Sequence, residues 1–411
     1  GLKKKINSKD WKPDFGKEFN KKSGATAIGV RDFLIAYNIN LNTKSTRLAN
    51  AIAFDVREKG RIKREGHPVI GEIVYDKDGN PESIPGSLKH VKAIGWYIEE
   101  FGIAQISMNL TNITETPIHI VFEEVVKKAN ARGASVTGSE LVGLIPLKSM
   151  IDAGKYFLKK QNRSVGIPEE DIIKIAVESL GLNQVKTFDP TKNIIEYYLD
   201  KITNKNGRLI DLSTRSFSDE VSRETPAPGG GSVSSYVGAL GTSLAGMVAN
   251  LSCNTRGWEN KVEIFSEKAH EINLLREKLL SLVDEDAHSF NSIMEAYKLP
   301  NDSDENKKIR SKAIKVATLY AAQIPLNIMI ESYTSYNIIE FLANEGNQNS
   351  LSDSGVACLC VHTAIHGAYL NVRINLKDVS GGDDIMKKAD KILKDSHLKK
   401  EKIMKLVEDK L

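Results

Sequence analysis

The chain has 411 residues, 41% of them hydrophobic and 27% charged, with a net charge of +4. That balance describes a globular protein of two or three domains, and so small an excess of positive charge implies no strong nucleic-acid field. Three cysteines make no disulfide framework and point to a reducing, cytoplasmic setting, and Gly1-Leu2-Lys3-Lys4-Lys5 runs into polar sequence rather than a secretory signal.

Taken in chain order, the first half alternates strands and helices. Residues 25–41 hold the apolar and aromatic run Phe33-Leu34-Ile35-Ala36-Tyr37-Asn38-Ile39, which suits a strand. Residues 43–60 have helical spacing, with Leu48, Ile52, Ala53 and Val56 on one face. The segment 61–89 is rich in turn residues (Asp78-Gly79-Asn80-Pro81, Pro85-Gly86) and reads as a hairpin insertion. Strands come next at 92–98 and 104–109, then a helix at 117–132 closed by Gly133, a strand at 135–139 and a helix at 146–161. The expectation is an α/β half, a sheet with helices packed on it. Gly24-Ala25-Thr26-Ala27-Ile28-Gly29 lacks the Gly-Lys-Ser/Thr of a phosphate loop, and Gly138-Ser139-Glu140-Leu141-Val142-Gly143 is not a nucleophile elbow.

The polar stretch 201–208 marks a linker, and from about Asp219 the pattern becomes helical throughout. Long periodic segments at 260–299, 306–342, 352–376 and 383–411 predict an all-α bundle. It opens on Pro226-Ala227-Pro228-Gly229-Gly230-Gly231-Ser232, and no Asp, Glu, Lys or Arg occurs between Glu224 and Arg256. Three glycines feeding a helix N-terminus offer free backbone N–H groups to a polar or anionic ligand, with Ser232 in the expected N-cap place. The charge-free window is long enough to span a membrane. Its Ser, Thr, Asn and Gly content, and flanks without an aromatic belt or basic cluster, favour a buried packing helix, with Gly238, Gly241, Ala245 and Ala249 allowing close approach.

Two clusters could carry chemistry. In Val283-Asp284-Glu285-Asp286-Ala287-His288, Asp284 and His288 share one helix face, whereas Asp286 points toward Leu279, Leu282 and Phe290. A carboxyl on an apolar face is driven toward its protonated form, which suits general acid and base work. Spacing alone favours the plainer reading, in which all three acids are a solvated surface. Cys358, Cys360, His362 and His366 suggest a metal cluster, but Cys358 and His366 lie about 12 Å apart along one helix at ~1.5 Å per residue. His362 and His366 also lack the Glu of the metalloprotease helix motif, so core packing is expected and no metal is called for.

Taken together the motifs are more specific. Residues 226–254, Val283-Asp284-Glu285-Asp286 and Ala368-Tyr369-Leu370-Asn371-Val372-Arg373-Ile374-Asn375-Leu376 resemble formimidoyltetrahydrofolate cyclodeaminases. The first half resembles glutamate formimidoyltransferases, on residues 24–41, Arg57-Glu58-Lys59-Gly60-Arg61, residues 91–97, Gln105-Ile106-Ser107-Met108-Asn109 and residues 138–147. The order on one chain is similar to the bifunctional formimidoyltransferase-cyclodeaminase family, across nearly all 411 residues.

The resemblance implies four divisions: 1–42, the end of a transferase N-terminal subdomain; 43–203, its C-terminal subdomain; 204–214, a linker; and 215–411, the cyclodeaminase bundle. It implies transfer of the formimino group of N-formimino-L-glutamate to tetrahydrofolate, then ring closure to 5,10-methenyltetrahydrofolate with loss of ammonia. Asp286 matches the catalytic aspartate. Gly229, Gly230, Gly231 and Ser232 would line the pterin pocket, with Ser232 capping the helix. Gly24, Ala25, Thr26, Gly29, Arg31 and Phe33 fall in the folate-contacting stretch. None of the eight histidines matches the transferase's catalytic one, so the transferase half as it stands is expected to be incompetent. Tetrahydrofolate enters as a co-substrate in polyglutamylated form, and a homo-oligomer without membrane or nucleic-acid partners is implied. The rivals are a methenyltetrahydrofolate cyclohydrolase, a non-catalytic folate-binding or oligomerisation scaffold, and an inactive fragment.

Overall fold

The computed structural model describes residues 11–411 except 17, 18, 23, 27, 67–69 and 204–206. The first half is built on strand β1 (Ile35–Leu41), helix α1 (Thr46–Val56), the two-residue strands β2 (Arg61–Ile62) and β3 (Ser83–Ile84), strands β4 (Val91–Ile98) and β5 (Ile103–Leu110), helix α2 (Ile118–Asn130), strand β6 (Val136–Val142), and helices α3 (Leu147–Lys160), α4 (Glu169–Leu180) and α5 (Ile195–Thr203). Strands β4-β5-β1-β6 form one antiparallel sheet in that order. β2 and β3 pair as the expected hairpin between α1 and β4. Ser45 accepts from the backbone N–H of Leu48 and starts α1.

β1 is an inner strand, and its two faces divide the work. Ile35, Tyr37, Ile39 and Leu41 point into the core that α1 and α2 cover. Asn38 and Asn40 point the other way, into a polar cluster: Gln105 donates to Asn40 (2.6 Å), Asn40 to Gln184 (2.6 Å) and Asn38 to Glu140 (3.3 Å). The division expected after residue 42 is corrected, because β1 belongs to the sheet that holds β4, β5 and β6. Ile35–Leu41 is hydrogen-bonded to β5 on one edge and to β6 on the other, so it forms one unit with those later strands. Sequence separation of about 70 to 100 residues between these partners hides the pairing from any local reading.

The second half comprises α6 (Thr214–Val221), α7 (Gly230–Cys253), α8 (Val262–Tyr297), α9 (Asp304–Glu345), α10 (Leu351–Leu376) and α11 (Asp383–Glu408). No strand occurs among the described residues after β6. The charge-free window is α7, wedged between α8 and α10. Its Gly, Ala and Ser residues let backbones approach closely: a Cβ on Gly241 would stand 2.9 Å from the Ala357 carbonyl oxygen and 2.9 Å from the Cys360 Cβ. Gly241→Val is expected to cost about 2–3 kcal/mol by overpacking, read as a lowered denaturation midpoint with an unchanged slope. α9 and α10 each contain a window long and apolar enough to cross a membrane. Here they pack on each other, on α7 and on α11.

The halves touch directly. The Val165 N–H donates to Ser266 Oγ (3.0 Å), Asn250 donates to the Gly166 carbonyl (2.9 Å), and a Cβ on Gly166 would fall 2.1 Å from the Ala269 carbonyl carbon. The linker is also pinned, because the Leu209 N–H donates to Asp284 Oδ1 at 2.6 Å.

Candidate active site

The three neighbouring acids of α8 have three different partners, and none of them is simply a solvated charge. Asp284 holds the linker through the Leu209 N–H. Glu285 accepts from the Tyr320 hydroxyl of α9 at 2.9 Å. Asp286 turns inward, one and two turns beyond the buried Leu282 and Leu279, and meets the first turn of α7.

That meeting is close. Ser232 Oγ donates to Asp286 Oδ2 at 2.9 Å, and the Ser232 backbone N–H also faces the carboxylate. A Cβ on Gly231 would lie 2.1 Å from Asp286 Oδ1, so only glycine leaves room for the carboxylate. A Cβ on Gly230 would lie 3.1 Å from Asn371 Nδ2 of α10. Asn371 in turn donates to the Gly367 carbonyl at 2.9 Å, and Ser234 donates to the Gly230 carbonyl at 2.6 Å. The structure thus brings Gly230, Gly231, Ser232 and Asp286 together, with Gly229 at the edge. It adds Asn371, which lies in one of the diagnostic strings but carries no chemical signal of its own.

The N-cap expectation is corrected. Gly229, not Ser232, is the N-cap of α7, and its extended backbone (φ −124°, ψ −156°) starts the helix three residues early. Ser232 is wholly buried in the first turn and directs its hydroxyl to Asp286. Glycine is an acceptable N-cap, so the serine is free for another task.

Burial raises the Asp286 carboxyl above its ordinary value of 3.8, and the two Ser232 donors oppose that rise by stabilising the carboxylate. The N–H groups of Gly230, Gly231 and Ser232 have no partner within the helix and add positive potential at the same spot. The result is a carboxyl at a helix N-terminus whose raised pKa suits it to take a proton from one atom and return it to another. Ser232→Ala removes one opposing donor. The carboxyl should then titrate at higher pH, and the ascending limb of the pH–rate profile should move upward.

The transferase residues are arranged differently. Arg31 and Phe33 line an open groove with Asp32, Leu34, Ile113 and Thr114 beside the start of β1. Ala25, Thr26 and Gly29 are exposed, and Gly24 is held by its N–H to the Asn20 carbonyl (2.8 Å). Gly24, Ala25, Thr26 and Gly29 do not line that groove. The polar sheet face nearby does converge: Asn38, Asn40, Gln105, Glu140 and Gln184 form one network, in which Gln105 Oε1 is buried without a partner among the described residues. Motif reading misses this cluster, although the alternation of polar side chains along β1 (Asn38, Asn40) is its available signal.

The protein thus pairs a helical bundle, with a carboxyl suited to proton exchange, and an antiparallel sheet domain with a polar face. Comparison with known families makes this specific. Residues 36–200 match the family model for the formiminotransferase domain, and residues 213–394 match that for formiminotransferase-cyclodeaminase. Formimidoyltransferase-cyclodeaminase of Mus musculus is 38% identical over 387 residues, 94% of this chain and 67% of that protein. The protein of the same name in Dictyostelium discoideum is 36% identical, covering 100% of this chain and 72% of its own length. Methenyltetrahydrofolate cyclohydrolase of Methylorubrum extorquens is 29% identical over 198 residues, 47% of this chain and 95% of that protein. The chain belongs to the formimidoyltransferase-cyclodeaminase family. It spans about two thirds of the length of its bifunctional relatives.

Proposed function

We propose that the helical half is a cyclodeaminase that closes 5-formimidoyltetrahydrofolate to 5,10-methenyltetrahydrofolate and releases ammonia, and that the sheet half is part of a glutamate formimidoyltransferase site whose catalytic histidine these residues do not supply. The observation that carries the reading is the Asp286 carboxyl against Gly231 and Ser232, inside the segment that matches the cyclodeaminase family. In the reaction N10 attacks the amidine carbon and loses a proton, while the departing nitrogen must gain one. Asp286 accepts the first proton and donates it to the leaving nitrogen, and burial, which raises its pKa, favours the proton-bearing form through which it passes. The backbone N–H groups of Gly230 and Gly231 would hold polar atoms of the pterin.

Tetrahydrofolate is accordingly a co-substrate, and N-formimino-L-glutamate is the donor for the other half. Polyglutamylation of the folate is part of the proposal by family analogy alone. A homo-oligomer is supported by exposed apolar side chains along α7 and α10, among them Leu240, Leu251, Leu359, Leu370 and Ile374. Three free cysteines support a cytoplasmic setting.

The cyclohydrolase relative favours a second reading, in which the same pocket hydrolyses methenyltetrahydrofolate. Supplying 5-formimidoyltetrahydrofolate and monitoring ammonia together with the methenyl absorbance separates the two. Growth of both signals in equal amounts is expected; consumption of added methenyltetrahydrofolate without ammonia would replace cyclodeamination by hydrolysis.

A further inference from the structure

His362 and His366 stand one turn apart on α10, and packing of α11 brings His397 against them. The ring centroids of His362 and His397 are 4.9 Å apart, those of His366 and His397 6.0 Å, and those of His362 and His366 6.3 Å. One nitrogen from each ring lies within 4.8 Å of the other two. The Cys358, His362 and His366 stripe still cannot close on one ion. The third ligand comes instead from another helix, 31 positions beyond His366, where single-helix spacing cannot reveal it.

We infer that His362, His366 and His397 form a binding site for a borderline divalent cation such as Zn2+, clipping α10 to α11 and leaving a fourth position for water. Three imidazoles with an open position suit this class of ion. Zn–N bonds of about 2.0–2.1 Å in tetrahedral array put ligand nitrogens about 3.3 Å apart, so nitrogens within 4.8 Å of one another need close by at most about 1.5 Å on binding. His366 and His397 are exposed and free to make that adjustment, while His362 is half-buried and fixed. Its Nδ1 is 3.2 Å from the Tyr336 hydroxyl, and in the tautomer that donates Nδ1–H to that oxygen, Nε2 carries the lone pair. A ligand histidine held through its second nitrogen is the usual arrangement around such ions.

The neighbouring groups are mixed. Burial, His397, Lys400 and His366 together lower His362 to about 4, so its ring is neutral and ready to ligate at neutral pH. The Lys400 charge that contributes to this also opposes a dication, although its long stem allows the ammonium to swing away. Cys358, one turn before His362, is wholly buried with its thiol pushed up to about 12, and is not a competing ligand. The site is separate from Asp286. It acts on the same bundle, since Gly367, next to His366, seats Ser234 of α7: a Cβ there would be 2.3 Å from Ser234 Oγ.

The test uses the full chain, without an affinity tag, and Zn2+ alone as probe. Titration calorimetry should show one Zn2+ per chain, and Co2+ should give a visible d–d band of a four- or five-coordinate site. His366→Gln on α10 and His397→Gln on α11 both alter exposed side chains and should leave the metal-free melting curve unchanged. Each should weaken Zn2+ binding at least about tenfold, and the double variant should lose both the Co2+ band and any Zn2+-dependent rise in Tm. Failure of the wild-type chain to bind Zn2+, or equal binding by the double variant, overturns the site. Neither outcome touches the cyclodeaminase reading, which rests on Asp286.

Discussion

Asp286→Asn is expected to lower cyclodeaminase turnover by about 10²–10⁴-fold, the usual worth of a positioned proton-transfer group, and at the same time to raise stability at neutral pH. The first effect arises because asparagine keeps the shape and one acceptor oxygen for Ser232 but cannot exchange a proton. The second arises from linkage. Asp286 has its carboxyl raised in the folded state, so the fold binds that proton more tightly than the unfolded chain does. Its contribution is fully present below the ordinary value of 3.8, and is lost as pH rises through the higher folded value. Above that pH the wild-type chain carries a half-buried charge that the variant lacks. Tm measured at acid and neutral pH should therefore show the variant's advantage growing with pH, alongside collapsed methenyl formation. A variant that turns over normally would remove Asp286 from the reaction. One that melts lower than wild type at neutral pH would show that its carboxylate is net stabilising.

Gly231→Ala is the second large effect, and here one methyl group is the whole perturbation. Its Cβ would stand 2.1 Å from Asp286 Oδ1, 2.5 Å from Cγ and 2.6 Å from Oδ2, so the carboxyl must swing aside. Displacing a reacting group by about 1 Å can cost about 10²-fold in rate, and that is the loss expected in kcat. Stability should change far less, because alanine favours the helix over glycine by about 1 kcal/mol. The neighbours supply a graded control. Gly230→Ala meets Asn371 Nδ2 at 3.1 Å, a side-chain atom that can yield, and Gly229→Ala meets only the Pro226 carbonyl at 3.4 Å. Loss of activity should fall in the order 231, 230, 229. A flat series would mean that the glycines serve backbone flexibility rather than room for the carboxyl.

Much of this arrangement is legible in the amino-acid sequence. The charge-free stretch announces a buried helix, since no ionised side chain lies between Glu224 and Arg256, and the 3.6-residue period puts Asp286 on the side of Leu279 and Leu282. Helices α8 to α11 emerge from their apolar spacing in the same way. Contacts between distant segments are what local patterns cannot carry. β1 reads as the end of an earlier unit because its partners lie far along the chain in β5 and β6. Ser232 reads as a cap because cap preference is local, whereas its true partner sits 54 positions away on α8. His397 and the Asn40–Gln105–Gln184 network stay hidden for the same reason. The family resemblance decides what spacing leaves open at Asp286, and burial supplies the physical basis for that choice.

Gly166 carries a consequence for anyone recombining these proteins. Its bare Cα sits against the Ala269 backbone, so the two halves are mated parts rather than beads on a string. A chimaera that grafts another bundle onto this sheet half must fit a seam that tolerates no extra atom there. Any bulkier residue at position 166 would pry the seam open, and α8 would feel it within a few turns of its reactive end.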